Sequence, residues 1–211
     1  LHTNDIHCGI NDNIGFAGLA QIKKDALART PNVALVDAGD AIQGAPIGKL
    51  SRGLAVVDIM NYLGYDFCIP GNHEFDYGMD RFLELVPLQR AGYYCANFVY
   101  AGNNKQVLPG YKIMQYEDTK VAFIGASTPE SLTTSTPTFF QNEKGQYIYS
   151  FCEDKSGSKL YKQLQKNVDK ARKEGADYVF IVGHLGMDGT TPQWSSESVA
   201  KNTQGVDAVI D

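Results

Sequence analysis

The chain has 211 residues, and 43% of them are hydrophobic, which is enough to form the core of one α/β domain. Its formal net charge is −5, and the basic residues are spread out, which argues against a nucleic-acid backbone as the partner. No apolar run approaches the length of a membrane span, and the first residues do not read as a signal peptide.

The spacing of apolar residues predicts strands that alternate with helices. In chain order these are a strand at 1–7, a helix at 16–29, a strand at 33–36, a helix at 53–63, a strand at 65–69, a helix at 79–90, a strand at 93–98, a hairpin at 111–116 and 120–124, a loop at 127–149, a helix at 159–173, a strand at 178–182, a helix at 196–201 and a strand at 206–210. This alternation predicts an α/β fold with substantial parallel pairing, and the hairpin makes the sheet mixed.

Both ends of the sequence have the pattern of a strand. Leu1 already lies in the first strand pattern, and the last residues, 206–211, form another. We therefore expect both ends to be cut and the chain to be a fragment of a longer protein.

Residue types that bind metal ions follow several of the predicted strands. Asp5 and His7 end the first strand, two residues apart, so strand alternation would place both side chains on one face. Asp40 follows the second strand, Asn72 the third, and His184 the strand at 178–182. Because ligands of open α/β sheets bind beyond the carboxyl ends of the strands, these side chains are expected to meet at one edge.

This mixture of donors suits a pair of metal ions. Two divalent ions about 3.5–4 Å apart can hold a phosphate and activate a water between them, and one carboxylate must then bridge the ions. Asp40 is the natural bridge. One ion would bind Asp5, His7 and Asp40, and the other would bind Asp40, Asn72 and His184. Imidazole, carboxylate and amide oxygen together suit Zn, Mn or Fe.

His73 is left free of metal in this assignment. Asp76 lies three residues further on and is within reach if a helical turn begins here. Its carboxylate would hold the His73 imidazole in one tautomer and favour the charged form. A charged His73 would stabilise the phosphoryl oxygens or the leaving group.

Each of these residues also has an ordinary structural explanation when it is taken alone. His184 after an apolar strand would be a core or surface histidine, Asp40 and Asn72 beside glycines would be turn residues, and Asp76 would be a charge at a helix start. Their recurrence at successive strand ends favours the metal site.

Four motifs, in order, resemble the calcineurin-like metallophosphoesterases: Asp5-Ile6-His7, Gly39-Asp40, Gly71-Asn72-His73-Glu74 and Gly183-His184. The longer stretches around the first three motifs, together with Gly125-Ala-Ser-Thr-Pro-Glu130, are similar to the 5′-nucleotidase branch. The resemblance covers essentially the whole chain.

The resemblance implies a fold and a set of roles. The fold would be a four-layer α-β-β-α sandwich of two mixed sheets, formed by residues 1–211 as a catalytic domain. His73 and Asp76 would form the catalytic dyad, and Glu74 would support the ligands without binding the ions. The metal ligands would be Asp5, His7, Asp40, Asn72 and His184.

The chain departs from the family pattern at its end. The family closes its site with a Gly-His-x-His segment that gives one histidine to each metal ion, and this segment would follow the strand at 206–211. Each ion would therefore lack one ligand in this fragment. The C-terminal domain that holds the nucleoside base is expected to be absent as well.

The expected activity is metal-dependent hydrolysis of nucleoside 5′-monophosphates. Alternatives are a 2′,3′-cyclic nucleotide phosphodiesterase, a nucleotide-sugar hydrolase, or an inactive truncated domain of a larger surface protein with a binding or structural role. The resemblance implies an extracellular, periplasmic or cell-surface location.

Overall fold

Nine strands and seven α-helices make up the computed structural model, which describes residues 1–187 and 190–211. The strands are β1 (His2–Thr3), β2 (Val36–Asp37), β3 (Phe67–Cys68), β4 (Val99–Tyr100), β5 (Tyr111–Tyr116), β6 (Thr119–Ser127), β7 (Tyr149–Ser150), β8 (Tyr178–His184) and β9 (Ala208–Ile210). The helices are α1 (Gly15–Leu27), α2 (Pro46–Ser51), α3 (Leu54–Leu63), α4 (Met79–Leu85), α5 (Ser131–Thr134), α6 (Ser158–Lys173) and α7 (Ser196–Asn202).

The strands form two main sheets. The first sheet has the order β1-β2-β3, and its strands are parallel. The second has the order β5-β6-β8-β9, in which the β5–β6 hairpin is antiparallel and the other pairs are parallel. A short antiparallel pair, β4 with β7, forms a separate ribbon.

The two sheets pack face to face, and helices cover their outer sides. Side chains of alternating residues on β6 and β8 point to opposite faces, as the pleat requires. Phe123 and Val182 therefore pack against Val36 and Phe67 of the first sheet, and the Phe67 and Phe123 ring centroids are 5.8 Å apart. Neighbouring residues of β6 and β8 pack instead against α6 and α7, while α1, α3 and α4 cover the first sheet. This arrangement confirms the predicted α-β-β-α sandwich.

One predicted element is wrong, and another is too long. Residues 93–98 do not form a strand: the N–H of Tyr94 donates to Cys68 of the first sheet, while that of Ala96 donates to Gly125 of the second. This segment crosses between the sheets, so it pairs with neither over its length. The helix predicted at 79–90 ends at Leu85, because Pro87 cannot continue it, and a 3-10 turn follows.

Other predictions need smaller corrections. The strand predicted at 1–7 ends at Thr3. The loop predicted at 127–149 contains α5 and a 3-10 turn, and its last residue begins β7. Helix α2 was not predicted. No helix in the part of the chain that the structure describes is long and apolar enough to cross a membrane.

Helix α6 begins on a dense group of hydrogen bonds to Asp154. The Asp154 carboxylate accepts hydrogen bonds from the N–H groups of Ser158 and Lys159, the first two residues of the helix. It also accepts hydrogen bonds from the N–H and the hydroxyl of Ser156. Burial raises the pKa of Asp154, but these donors outweigh that effect and lower it to about 2. The ionised carboxylate therefore stabilises the start of the helix that covers the second sheet.

The Asp154→Ala substitution is expected to lower the free energy of unfolding at pH 7 by about 1–2 kcal/mol, as for a lost helix cap. Because the folded-state pKa of Asp154 is depressed, its contribution is present above pH 4 and is lost as the pH falls towards 2. Urea unfolding of wild type and variant between pH 7 and pH 3 measures this difference. The exposed Asp118 serves as control through Asp118→Ala, and a difference that does not shrink with falling pH would contradict the role of the charge.

Candidate metal centre

The loops that follow β1 and β2 run side by side and carry the first ligand-type residues. The N–H of Asp5 donates to Gly39 over 3.0 Å, and that of His7 donates to Asp40 over 2.9 Å. Asp5, His7 and Asp40 have left-handed backbones, with φ of 51°, 46° and 57°. Such conformations are costly for residues other than glycine and cluster at functional sites.

The expected reason for the proximity of Asp5 and His7 was wrong, although the two side chains do meet. They lie beyond the end of β1, so strand alternation does not place them. The left-handed turns bring His7 Nε2 to 3.5 Å from Asp5 Oδ1.

Asp40 lies at the centre of the cluster and its carboxyl group is buried. Its Oδ2 is 3.8 Å from Nε2 of His7 and 3.2 Å from Nε2 of His184. Asn72 Oδ1 is 3.3 Å from the same His184 nitrogen. One ligand atom each from Asp5, Asp40 and His184 can be chosen so that all lie within 4.8 Å of one another. The structure thus brings together all five side chains predicted as ligands, from both sheets.

Backbone carbonyls fix the orientation of both histidines. Nδ1 of His7 donates to the carbonyl of Gln43 over 3.1 Å, and Nδ1 of His184 donates to that of Ala38 over 2.9 Å. A carbonyl oxygen only accepts, so Nδ1 carries a proton in each ring and Nε2 is the nitrogen turned towards Asp40. Metal-binding histidines are held in this way.

The donor set fits divalent metal ions. Asp40 Oδ2 and Asn72 Oδ1 are acceptors, and both face His184 Nε2, so a proton or a cation must lie between them. Burial lowers the pKa of His184, but the hydrogen bond and charge of Asp40 outweigh it and raise the pKa to about 9. Burial likewise raises the pKa of Asp40, whereas His184 and the His73 N–H bring it below its ordinary value. In the absence of an ion, a proton on His184 supplies the positive charge.

His73 lies beside this cluster and contacts Asp76, as predicted. A 3-10 turn, His73–Phe75, brings Nδ1 of His73 to 2.6 Å from Asp76 Oδ2. The rings of His73 and His7 meet edge to face with centroids 5.2 Å apart. Burial lowers the pKa of His73, but Asp76 and Asp40 raise it above its ordinary value.

Glu74 joins the loops that follow β2 and β3. Its buried carboxylate accepts four backbone N–H groups, from Asp40 at 2.7 Å, Ala41 at 2.8 Å, Ile42 at 3.3 Å and Gly71 at 2.6 Å. Burial and the nearby Asp40 charge raise the pKa of Glu74, and the N–H donors of Asp40, Gly71 and Ala41 oppose that rise. Glu74 thus ties the loop that carries Asp40 to the loop that carries Asn72.

Two further residues that support the site were not predicted. The hydroxyl of Ser127 donates to the carbonyl of Pro70, in the loop that carries Asn72 and His73. The buried amide of Asn97 donates to the carbonyl oxygens of Ser127 and Phe151 and accepts the N–H of Ser127. The sequence signal for Ser127 was its place in the family-like stretch 125–130, whereas Asn97 had none beyond being polar among apolar neighbours.

The chain is an α/β domain built as a two-sheet sandwich, and the ends of its strands carry the carboxylate, imidazole and amide groups that divalent metal ions prefer. The chain belongs to the calcineurin-like phosphoesterases, because the model of that family matches residues 1–210. Members of this family use divalent metal ions.

Individual relatives agree with this assignment. A snake venom 5′-nucleotidase of Gloydius brevicauda is 29% identical over the whole chain, which covers 35% of that protein. The trifunctional nucleotide phosphoesterase protein YfkN of Bacillus subtilis is 26% identical over the whole chain and 16% of its own length. The solved structure of YfkN superposes with a TM-score of 0.82 at 25% identity, over 99% of this chain and 69% of that one. The chain spans 35–39% of the length of three snake venom 5′-nucleotidases that it matches.

The Glu74→Gln substitution is expected to lower the free energy of unfolding by about 2–4 kcal/mol, because it removes a buried charge and turns an amide NH₂ towards backbone donors. Urea unfolding of wild type and variant at pH 7 measures this. The exposed Glu143 provides a matched control through Glu143→Gln, which is expected to leave stability unchanged. Equal stability of the two variants would show that the four hydrogen bonds to Glu74 do not hold the loops together.

Proposed function

We propose that this chain carries the metal-binding and catalytic residues of a hydrolase that converts nucleoside 5′-monophosphates to nucleoside and phosphate at two divalent ions. The observation that carries this proposal is the position of the Asp40 carboxylate between the Nε2 atoms of two histidines, with the His73–Asp76 pair beside it. Such a site offers places for two cations and a proton donor next to them.

The residues divide between two ion positions. Asp5, His7 and Asp40 would hold one ion, and Asp40, Asn72 and His184 the other. Asp40 Oδ2 faces both imidazoles, at 3.8 Å and 3.2 Å, which supports its role as the bridge. When bound, Zn, Mn or Fe ions would polarise the phosphoryl group and lower the pKa of a water.

His73 supplies a proton and positive charge. Asp76 accepts the proton on Nδ1, so Nε2 of the charged ring can donate to a phosphoryl oxygen or to the leaving oxygen. Because the pKa of His73 is raised, a larger share of this residue is charged at neutral pH than for an ordinary histidine. The Glu74 carboxylate keeps Asp40 and the His73 loop in their relative positions.

The names of relatives support the substrate class. One relative is named a snake venom 5′-nucleotidase, which supports nucleoside 5′-monophosphates as substrates and, because venom is secreted, an extracellular location. The Bacillus relative is named a trifunctional nucleotide phosphoesterase, which supports a nucleotide ester as the substrate. A 2′,3′-cyclic nucleotide stays the second candidate substrate.

Phosphate release from AMP, 2′,3′-cyclic AMP and a nucleotide sugar, with added Mn²⁺ or Zn²⁺, tests the function. AMP is expected to be the best substrate. His73→Asn should lower kcat by about 10²- to 10⁴-fold, the contribution of a general acid, while metal content stays at the wild-type level. The exposed His2 gives the matched control, His2→Asn. Absence of turnover on every ester would favour a binding or structural role, and loss of metal in His73→Asn would mean that His73 is a ligand.

Asp40→Asn is expected to weaken the binding of both ions together, because it replaces the charged carboxylate by a neutral amide of nearly the same shape. Elemental analysis after incubation with Mn²⁺ and dialysis gives the number of ions per chain. Asp58→Asn, at an exposed position of α3, is the control and should retain the wild-type content. Loss of one ion with retention of the other would show that Asp40 does not bridge.

A further inference from the structure

The carboxylate of Asp76 is held at both of its oxygens. Oδ2 accepts Nδ1–H of His73 at 2.6 Å, and Oδ1 accepts the hydroxyl of Ser135 at 3.2 Å. We propose that Ser135 is a positioning residue that orients Asp76 and, through it, the His73 imidazole. The proposal rests on the proposed function, because it gives Ser135 a part in the same proton transfer.

A second contact matters because an aspartate held at one oxygen can still rotate. The terminal torsion of an aspartate side chain has broad minima, so a single hydrogen bond leaves the plane of the carboxylate loosely defined. The side chain of Asp76 is 23% exposed, so water competes for the oxygen that does not contact His73. The Ser135 hydroxyl donates a hydrogen bond to that oxygen and so fixes the plane of the carboxylate. The fixed carboxylate in turn orients the His73 ring through the hydrogen bond to Nδ1.

Ser135 is itself held in place relative to His73. It is 8% exposed and follows α5, where its N–H donates to the carbonyl of Ser131 over 3.2 Å. Further along the same segment, Phe140 packs against Phe75 with ring centroids 5.2 Å apart. Phe75 belongs to the turn that carries His73. The segment that presents Ser135 is therefore anchored on the same turn that presents the imidazole.

Ser135 also has a purely structural explanation, in which its hydroxyl only helps to end α5. Ser131 separates the two explanations. It is the first residue of α5, the short helix that Ser135 follows. Its side chain is fully buried, and its Oγ has no hydrogen-bond partner in the described part of the chain. Removal of the Ser131 hydroxyl perturbs the same helix without touching Asp76.

The first test is kinetic and uses the full-length protein with Mn²⁺ and AMP. Ser135→Ala is expected to lower kcat by about 10- to 100-fold, the range for a lost hydrogen bond to a charged group, with KM within about twofold of wild type. Ser135→Thr keeps the hydroxyl and should restore most of the rate. Ser131→Ala should match wild type. Wild-type kcat in Ser135→Ala, or an equal loss in Ser131→Ala, would overturn the proposal.

The second test does not depend on turnover. In metal-free protein labelled with ¹⁵N-histidine, the Nδ1 proton of His73 should give a downfield NMR resonance, identified by its loss in His73→Asn. At fixed pH, this resonance should move upfield or broaden in Ser135→Ala and stay unchanged in Ser135→Thr and Ser131→Ala. An unchanged resonance in Ser135→Ala, or no such resonance in wild type, would overturn the proposal. If wild type hydrolyses no ester, the proposed function fails, and the resonance still decides whether Ser135 orients the pair.

Discussion

The geometry of the site depends on the hydrogen bonds that the buried Glu74 carboxylate accepts from backbone N–H groups. Its four N–H donors come from the end of β2 and from the end of β3, so one side chain joins two loops that the sheet alone leaves unconnected. The loops can approach because residue 71 is glycine, since a Cβ there would collide with the Asp40 carboxylate. Asp40 and Asn72 therefore take their relative positions from a hydrogen-bond network and a close approach of backbone.

The second sheet completes the site. His184 lies at the end of β8, and its Nδ1–H reaches the carbonyl of Ala38 in the first sheet, 146 residues away in sequence. This contact forms only when the two sheets pack through Phe67 and Phe123. The same motifs in an unfolded or partly folded chain would not gather the donors, because metal sites of this kind depend on tertiary packing rather than on local sequence.

The sequence predicted those features of the structure that neighbouring residues determine, and it missed those that depend on tertiary contacts. The order of strands and helices, and the residues at the strand ends, were predicted because apolar spacing and Gly-Asp turns are local signals. The strand predicted at 93–98 failed because its hydrogen-bond partners lie in both sheets. The contact of Asp5 with His7 was predicted for the wrong reason, because nothing in the sequence reports left-handed backbones at non-glycine residues. The contacts of Asn97 and Ser127 likewise appear only with the tertiary structure.

Three buried acidic side chains set the charge balance of the proposed metal site. Asp37, Asp40 and Glu74 are all buried, and burial raises the pKa of Asp37 well above its ordinary value. Backbone N–H donors offset part of the negative charge of these carboxylates. In the absence of metal, the proton on His184 offsets more of that charge, since the pKa of His184 is about 9. In the proposed metal site, that proton lies on the same Nε2 that would bind the ion, so binding would release it. Proton and metal ion would therefore compete for one nitrogen, and the Asp40 and Glu74 carboxylates, which raise the His184 pKa, would also attract the ion.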